Sequence, residues 1–363
     1  MPAETTDIQE TSSMAIAARN VELTYADGTR AVRGIDLDVP KGEFFGFLGP
    51  NGAGKTTAIK TFVTLLHPTA GSVTVNGFDV VDDPRAVRSS IGYMAQETSI
   101  DEELTACENI QFACEMYGVP RSERAERIDD LLALVDLADV ADKQPSGFSG
   151  GMKKRLDVAT ALVHEPPLVF LDEPTTGLDP RARNRLWEYF RAINRQGTTL
   201  FLTTQYLEEA DELCDRLSVI QDGKLVATDS PDTLKSQVGG DILEITLEDS
   251  IAQQRAHAQQ VARESGLFAE NTIEPTDEGI RIASEHARQQ GTDLLVALRD
   301  AGITVTGFDV RSPTLDDVFL ALTGTLRVPV SSRASLDDTT GEPTSEETAE
   351  DQSGDPVQTG GSR

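Results

Sequence analysis

Three runs in the first two thirds of the chain carry apolar side chains almost without a polar break: residues 44–48 (FFGFL), 168–171 (LVFL) and 199–203 (TLFLT). Such runs suit strands covered on both faces, and the longer amphipathic stretches between them suit helices. The pattern therefore predicts an α/β unit on a mostly parallel sheet. After Gly239 and Gly240 the pattern changes. Leu243, Ile245 and Leu247 alternate with Glu244, Thr246 and Glu248, the period of a half-buried strand. Residues 252–264 read as a helix closed by Gly266, 271–274 and 279–282 as a hairpin, 294–299 as a helix and 303–310 as a last strand. The order strand, helix, strand, strand, helix, strand predicts a small α+β unit of ferredoxin-like type.

A final amphipathic stretch, SPTLDDVFLALTG, predicts a helix capped by Ser312, with Pro313 at its first position and Gly324 ending it. Leu315, Val318, Phe319 and Leu322 share one face, so that helix is expected to pack on something. Residues 1–14 and 327–363 are rich in Ser, Thr, Gly, Pro and acids and poor in large apolar side chains, which predicts disorder at both ends. The expected organisation is a disordered start at 1–14, an α/β unit at 15–239, an accessory unit at 240–326 and an acidic tail at 327–363.

Composition narrows the function classes. Among 363 residues, 61 acids stand against 32 Lys and Arg, a formal charge of −29. That balance excludes ordinary nucleic-acid binding through a basic face. With few lysines and acids spread along the chain, it suggests a salt-rich, halophile-like cytoplasm in which self-repulsion is screened. No apolar stretch approaches the eighteen or so residues of a membrane helix, and the first residues have no basic patch followed by an apolar run, so a cytoplasmic protein is expected. Cys107, Cys114 and Cys214 form no CxxC pair and read as reduced thiols. His67, His164, His257 and His286 are too scattered for a zinc site.

The strongest chemical signal is GPNGAGKTT: Gly49, Pro50, Asn51, Gly52, Ala53, Gly54, Lys55, Thr56 and Thr57. It follows a predicted strand and precedes a predicted helix, the context that a phosphate-binding loop requires. Its backbone N–H groups and the positive end of the helix would cradle phosphate oxygens. Lys55 would reach the β and γ phosphates of ATP and Thr56 would hold Mg²⁺. Downstream, LVFLDEP ends a predicted buried strand with Asp172, for the metal, and Glu173, as general base on the attacking water.

With these motifs and the ones that follow them in order, residues 15–239 resemble the ATPase subunit of an ABC transporter. The resemblance implies a P-loop NTPase fold with a helical subdomain. It places Tyr25 as the aromatic that stacks on adenine and Gln96, in GYMAQE, as the glutamine that senses Mg²⁺ and water. FSGGM is a variant of the family signature LSGGQ, and TTGLD, ending in Asp179, matches the loop that crosses the dimer interface. Ser149, Gly150 and Gly151 would present N–H groups at a helix start, a surface that in the family touches the γ-phosphate held by the opposite subunit. ATP would then close a homodimer around two nucleotides and drive a separate membrane permease, expected to dock near residues 96–109, with the subunit held peripherally on the inner face of the membrane.

One departure stands out: Gln205 occupies the place where most of the family has histidine. Glutamine donates a hydrogen bond but carries no proton. FSGGMKKRLDVA, LDEPTTGLDP, TTQYLEEAD with its Gln205, and the closing PTLDDVFLALTG together resemble the daunorubicin-resistance branch of drug and lipid exporter ATPases. Two other readings compete: an ATP-binding regulator with little turnover, motivated by Gln205, and the ATPase of an importer. Hydrolysis depending on Glu173, assisted by Gln205 and Lys55, is the expectation.

Overall fold

A computed structural model describes residues 13–248, 251–269 and 272–322. Fourteen strands and eleven helices are named here among them. The predicted ends, residues 1–12 and 323–363 with Gly324, lie outside the described residues, as does Asn271. Met14, assigned to the N-terminal tail by sequence, instead opens the first strand, β1 (Met14–Thr24).

Strand β1 pairs antiparallel with β2 (Arg30–Pro40) and β4 (Ala70–Val75), and β4 carries the short β5 (Phe78–Asp79). The second sheet has six strands in the order β10 (Lys224–Asp229), β9 (Arg216–Gln221), β3 (Phe44–Leu48), β8 (Thr199–Thr204), β7 (Leu168–Asp172), β6 (Ile91–Met94). All its pairs are parallel except that of β10 with β9. Every residue of β3, β7 and β8 is buried, as expected of parallel strands covered on both faces.

One face of this sheet packs on the antiparallel sheet and on α1 (Lys55–Phe62), through Phe45, Phe47, Phe62, Phe170 and Phe201. The other face packs on helices, among them α3 (Ala106–Met116), α4 (Arg124–Leu134), α5 (Gly150–Ala161) and α6 (Pro180–Arg195). The short α2 (Pro84–Ser89) precedes β6, and α7 (Leu207–Leu213) and α8 (Pro231–Gln237) flank the β9–β10 hairpin.

Beyond Gly240, β11 (Asp241–Leu247), α9 (Ala252–Glu264), β12 (Ile273–Pro275), β13 (Gly279–Ser284), α10 (Ala287–Asp300) and β14 (Val305–Arg311) form an antiparallel sheet in the order β12-β13-β11-β14. Its first strand lies between the third and fourth, as in ferredoxin-like units. Helix α10 begins seven residues before the predicted 294–299 segment. Its buried stripe of Ala287, Gly291, Leu294 and Leu298 opens with two small residues that give little hydrophobic signal.

The last helix, α11 (Leu315–Leu322), is not capped by Ser312. Thr314 donates its N–H and hydroxyl to Asp317 Oδ2 at 2.8 and 3.0 Å, so the cap stands two residues later. Arg311 draws the cap there by pairing both guanidinium nitrogens with the Asp317 carboxylate, at 2.6 and 3.0 Å. Buried Leu315 and Val318 join Ile242 and Ala283 in the large core that includes Leu234 and Val238 of the front unit.

Candidate active site

The loop from Gly49 to α1 runs out of β3 at the carboxyl end of the parallel sheet. Gly54 immediately precedes the helix with φ +109°, and a Cβ there would lie 2.4 Å from Ala31 O. Only glycine accepts both that dihedral and that contact. The loop is closed behind by Gly223 N–H donating to Ala53 O at 3.0 Å.

Lys55, in the first turn of α1, is almost fully buried. Its Nζ donates to Gly49 O at 2.8 Å and Pro50 O at 3.2 Å, and stands 3.2 Å from Glu173 Oε1. Thr56 Oγ1 lies 3.4 Å from Asp172 Oδ1, and Asp172 accepts a shorter bond, 2.6 Å, from Thr203 Oγ1. Burial raises the Asp172 pKa; the Thr203 bond opposes this and the neighbouring Glu173 charge reinforces it. The same Asp172 charge, after burial, helps push the Tyr93 hydroxyl up to about 12.

Glu173 is held in the left-handed region, φ +47°, uncommon for a residue with a side chain. Its N–H donates to Thr203 O at 3.0 Å and Thr203 Oγ1 at 3.2 Å. Such strain persists only where the surroundings determine it, and here it turns the carboxylate toward the loop. Gln96 Nε2 and Thr176 Oγ1 each reach Glu173 Oε2 at 3.4 Å. The structure thus gathers Lys55, Thr56, Asp172, Glu173 and Gln96 at one place. Thr56 and Asp172 offer hard oxygen donors facing one another, a set that fits Mg²⁺ completed by phosphate and water. Gln96 faces Glu173 through its amide nitrogen, which is not a ligating atom.

Tyr25 stands at the rim, 39% exposed, with its hydroxyl 3.0 Å from Thr57 Oγ1. Gln205, half-buried, follows β8 at the same end of the sheet and precedes α7.

Ser149, Gly150, Gly151 and Asp179 belong to a second cluster. Ser149 caps α5, its Oγ accepting from Met152 N–H at 3.3 Å. Asp179 caps α6, accepting from Arg181 and Ala182 N–H at 2.9 and 3.0 Å. The two helix starts touch closely: a Cβ on Gly151 would sit 2.9 Å from Ala182 Cβ. Between them lies an open cavity of about 280 Å³, lined also by Arg155, Arg181 and Arg185.

Sequence reasoning missed Thr203, whose hydroxyl serves both Asp172 and Glu173. Hydroxyls at the carboxyl end of a buried strand, beside the apolar run Leu200–Leu202, were its signal. Glu209, fully buried in α7, was missed as well: Trp187 Nε1 donates to its Oε1 at 3.0 Å. Burial raises its pKa.

With this geometry in view, comparison with known proteins is specific. A family model described as ABC transporter matches residues 32–176, and one described as the C-terminal domain of DrrA1-3-like ATP-binding proteins matches residues 230–323. The daunorubicin/doxorubicin resistance ATP-binding protein DrrA of Streptomyces peucetius is 44% identical over 82% of this chain and 89% of its own. The Nod factor export ATP-binding protein I of Burkholderia thailandensis is 38% identical over 84% of this chain and 96% of its own. Among solved structures, a dimeric ATP-binding cassette in a post-hydrolysis state, bound to ADP and phosphate, aligns with TM-score 0.55 and 26% identity over 59% of this chain and 98% of that one.

Proposed function

This chain belongs to the ATP-binding subunits of ABC transporters, in the daunorubicin-resistance branch, and from that premise we propose that it hydrolyses ATP to drive export of a drug-like or lipid-like substrate through a separate permease. The observation that carries the reading is the meeting of Lys55 and Glu173 at 3.2 Å beside the phosphate loop, with Asp172 and Thr56 adjoining.

The loop N–H groups and Lys55 bind the β and γ phosphates. Glu173, aimed by its left-handed backbone and steadied by Gln96 and Thr176, accepts a proton from water as that oxygen attacks the γ-phosphorus. The bond to the β-phosphate oxygen breaks, and ADP and phosphate result. Gln205 orients water or the γ-phosphate by donating a hydrogen bond. Mg²⁺, held by Thr56 and Asp172, supplies positive charge to the phosphate oxygens when bound. Tyr25 stacks on adenine.

Ser149, Gly150, Gly151 and Asp179 serve the second nucleotide of a homodimer: an exposed helix start ringed by arginines suits the γ-phosphate presented by another copy. No helix among the described residues is long and apolar enough to cross a membrane, so the spanning part is taken to be the permease, which holds this subunit peripherally on the inner face. Its docking surface, expected at 96–109, extends to exposed Leu65, Phe112, Met116 and Tyr117, beside a cavity of about 700 Å³ that Arg85 and Arg88 also line. We take the boundary between the ATPase unit and the accessory unit at Gly239 and Gly240.

Hydrolysis of ATP with Mg²⁺ in molar potassium chloride tests the reading, with and without permease. Turnover that survives in Gln205→Ala at a tenth or less of the parent rate, and vanishes in Glu173→Gln, is the expected result; a folded parent that binds ATP but never turns over would make it a regulator. The charge of −29 motivates the high salt: unfolding is expected to shift to higher temperature as potassium chloride rises to molar levels, and an unchanged midpoint refutes the halophilic reading.

A further inference from the structure

Ser149 caps helix α5, and three of the helix's side chains reach back to the segment that carries Gln96. Lys154 Nζ donates to Gln96 O itself, at 2.7 Å. Asp157 Oδ1 accepts the Ser99 hydroxyl at 2.7 Å and the Ser99 N–H at 3.4 Å, and its Oδ2 accepts Thr98 Oγ1 at 3.3 Å. Lys153 pairs with Glu102 at 2.5 Å. Asp157 is 2% exposed, an expensive place for a carboxylate that only filled space. Neither lysine nor Asp157 takes part in the phosphate loop, the Asp172–Glu173 pair or the Ser149 cleft. What they hold is the main chain from which the Gln96 side chain reaches Glu173 Oε2, at 3.4 Å.

We propose that Lys154 and Asp157 are positioning residues for turnover: by clamping residues 96–99 to the signature helix they place the Gln96 side chain against Glu173. Glu173 and the phosphate loop keep their own anchors, Thr203 and the Gly223 contact, so loss of the clamp moves Gln96 and leaves ATP binding in place. The inference rests on the reading that Gln96 and Glu173 serve hydrolysis.

A double-mutant cycle on the full chain separates the two. Lys154→Met is expected to lower kcat about tenfold with KM for ATP within about twofold, since small misplacements of a positioned group are costly. Combined with Gln96→Ala it should add nothing, because a displaced side chain that is absent cannot be displaced further. Ser99→Ala, which removes the shortest bond to Asp157 and leaves the helix untouched, should give a smaller drop of about threefold and guards against a misfolded lysine variant. Amide hydrogen exchange should speed up at residues 96–99 in both variants and stay unchanged in the phosphate loop. Effects of Lys154→Met and Gln96→Ala that multiply, or a loss of rate that tracks thermal stability without faster exchange at 96–99, overturn the clamp. If Gln96→Ala hydrolyses ATP at the parent rate, the reading of Gln96 falls and this inference falls with it.

Discussion

The phosphate loop and the Ser149 helix start both aim backbone N–H groups outward from the beginning of a helix, yet their surroundings differ. Around the loop, Lys55, Asp172 and Glu173 are each at most 6% exposed and bonded to one another or to Thr203. Around Ser149, Arg181 and Arg185 are exposed, the carboxylate of Asp179 caps its own helix, and Asp136 pairs with Arg155 and Arg185. The first surface gathers an ammonium, two carboxylates and a hydroxyl, the second arginines beside an open helix start. On the proposed function the first would carry the chemistry and the second would attract the phosphate of another copy's nucleotide.

Glu173→Gln strikes the buried half hardest. It should lower kcat by about a thousandfold while leaving the loop intact, so that ATP binds and a dimer accumulates, seen by size exclusion with ATP. A slow variant that stays monomeric with ATP bound would break the pairing of the halves. Ser149→Arg fills the exposed half instead, and about a hundredfold loss of turnover is expected with ATP affinity nearly unchanged. Equal losses in affinity would mean that Ser149 serves its own chain's nucleotide. Tyr25→Ala, at the rim of the buried half, should raise KM about fivefold with kcat preserved, the size of one lost aromatic stack. Tyr25→Phe should be near neutral, since the bond to Thr57 is exposed to water.

The smallest effect concerns Glu209, which lies under the buried half. Burial lifts its folded pKa above the ordinary 4.5, so the folded protein holds a proton that the unfolded chain gives up. The stability from this group is fully present below pH 4.5 and is lost as pH rises through the folded value. Glu209→Gln should therefore gain on the parent as pH rises above 4.5, by at most about 1.4 kcal/mol per pH unit within that window. Emission from Trp187, the sole tryptophan and the donor to Glu209, follows both unfolding curves. Parallel curves would show that the carboxyl is not held protonated.

The α/β pattern was legible because parallel strands buried on both faces write continuous apolar runs, as at Phe44–Leu48. Helix α10 was only half legible, since small residues pack as well as large ones without announcing it. Ser-Pro is a good local helix start, but Ser312 is not the cap, because Arg311, held also by Glu244 67 residues away, fixes Asp317 against Thr314.

The sequence by itself made the phosphate loop, the Asp172–Glu173 pair and the helix start at Ser149 legible, since each is a contiguous run at the end of a strand or the start of a helix. Only the tertiary structure decided which distant side chains serve those runs. Asp172 and Thr203 meet because β7 and β8 pair in parallel with those two residues in register, which sets both on one face of the sheet. Lys154 reaches Gln96, 58 residues away, because α5 packs against the segment that leaves β6. Register and packing angle are settled by burying the whole core at once, and no local stretch of sequence contains them.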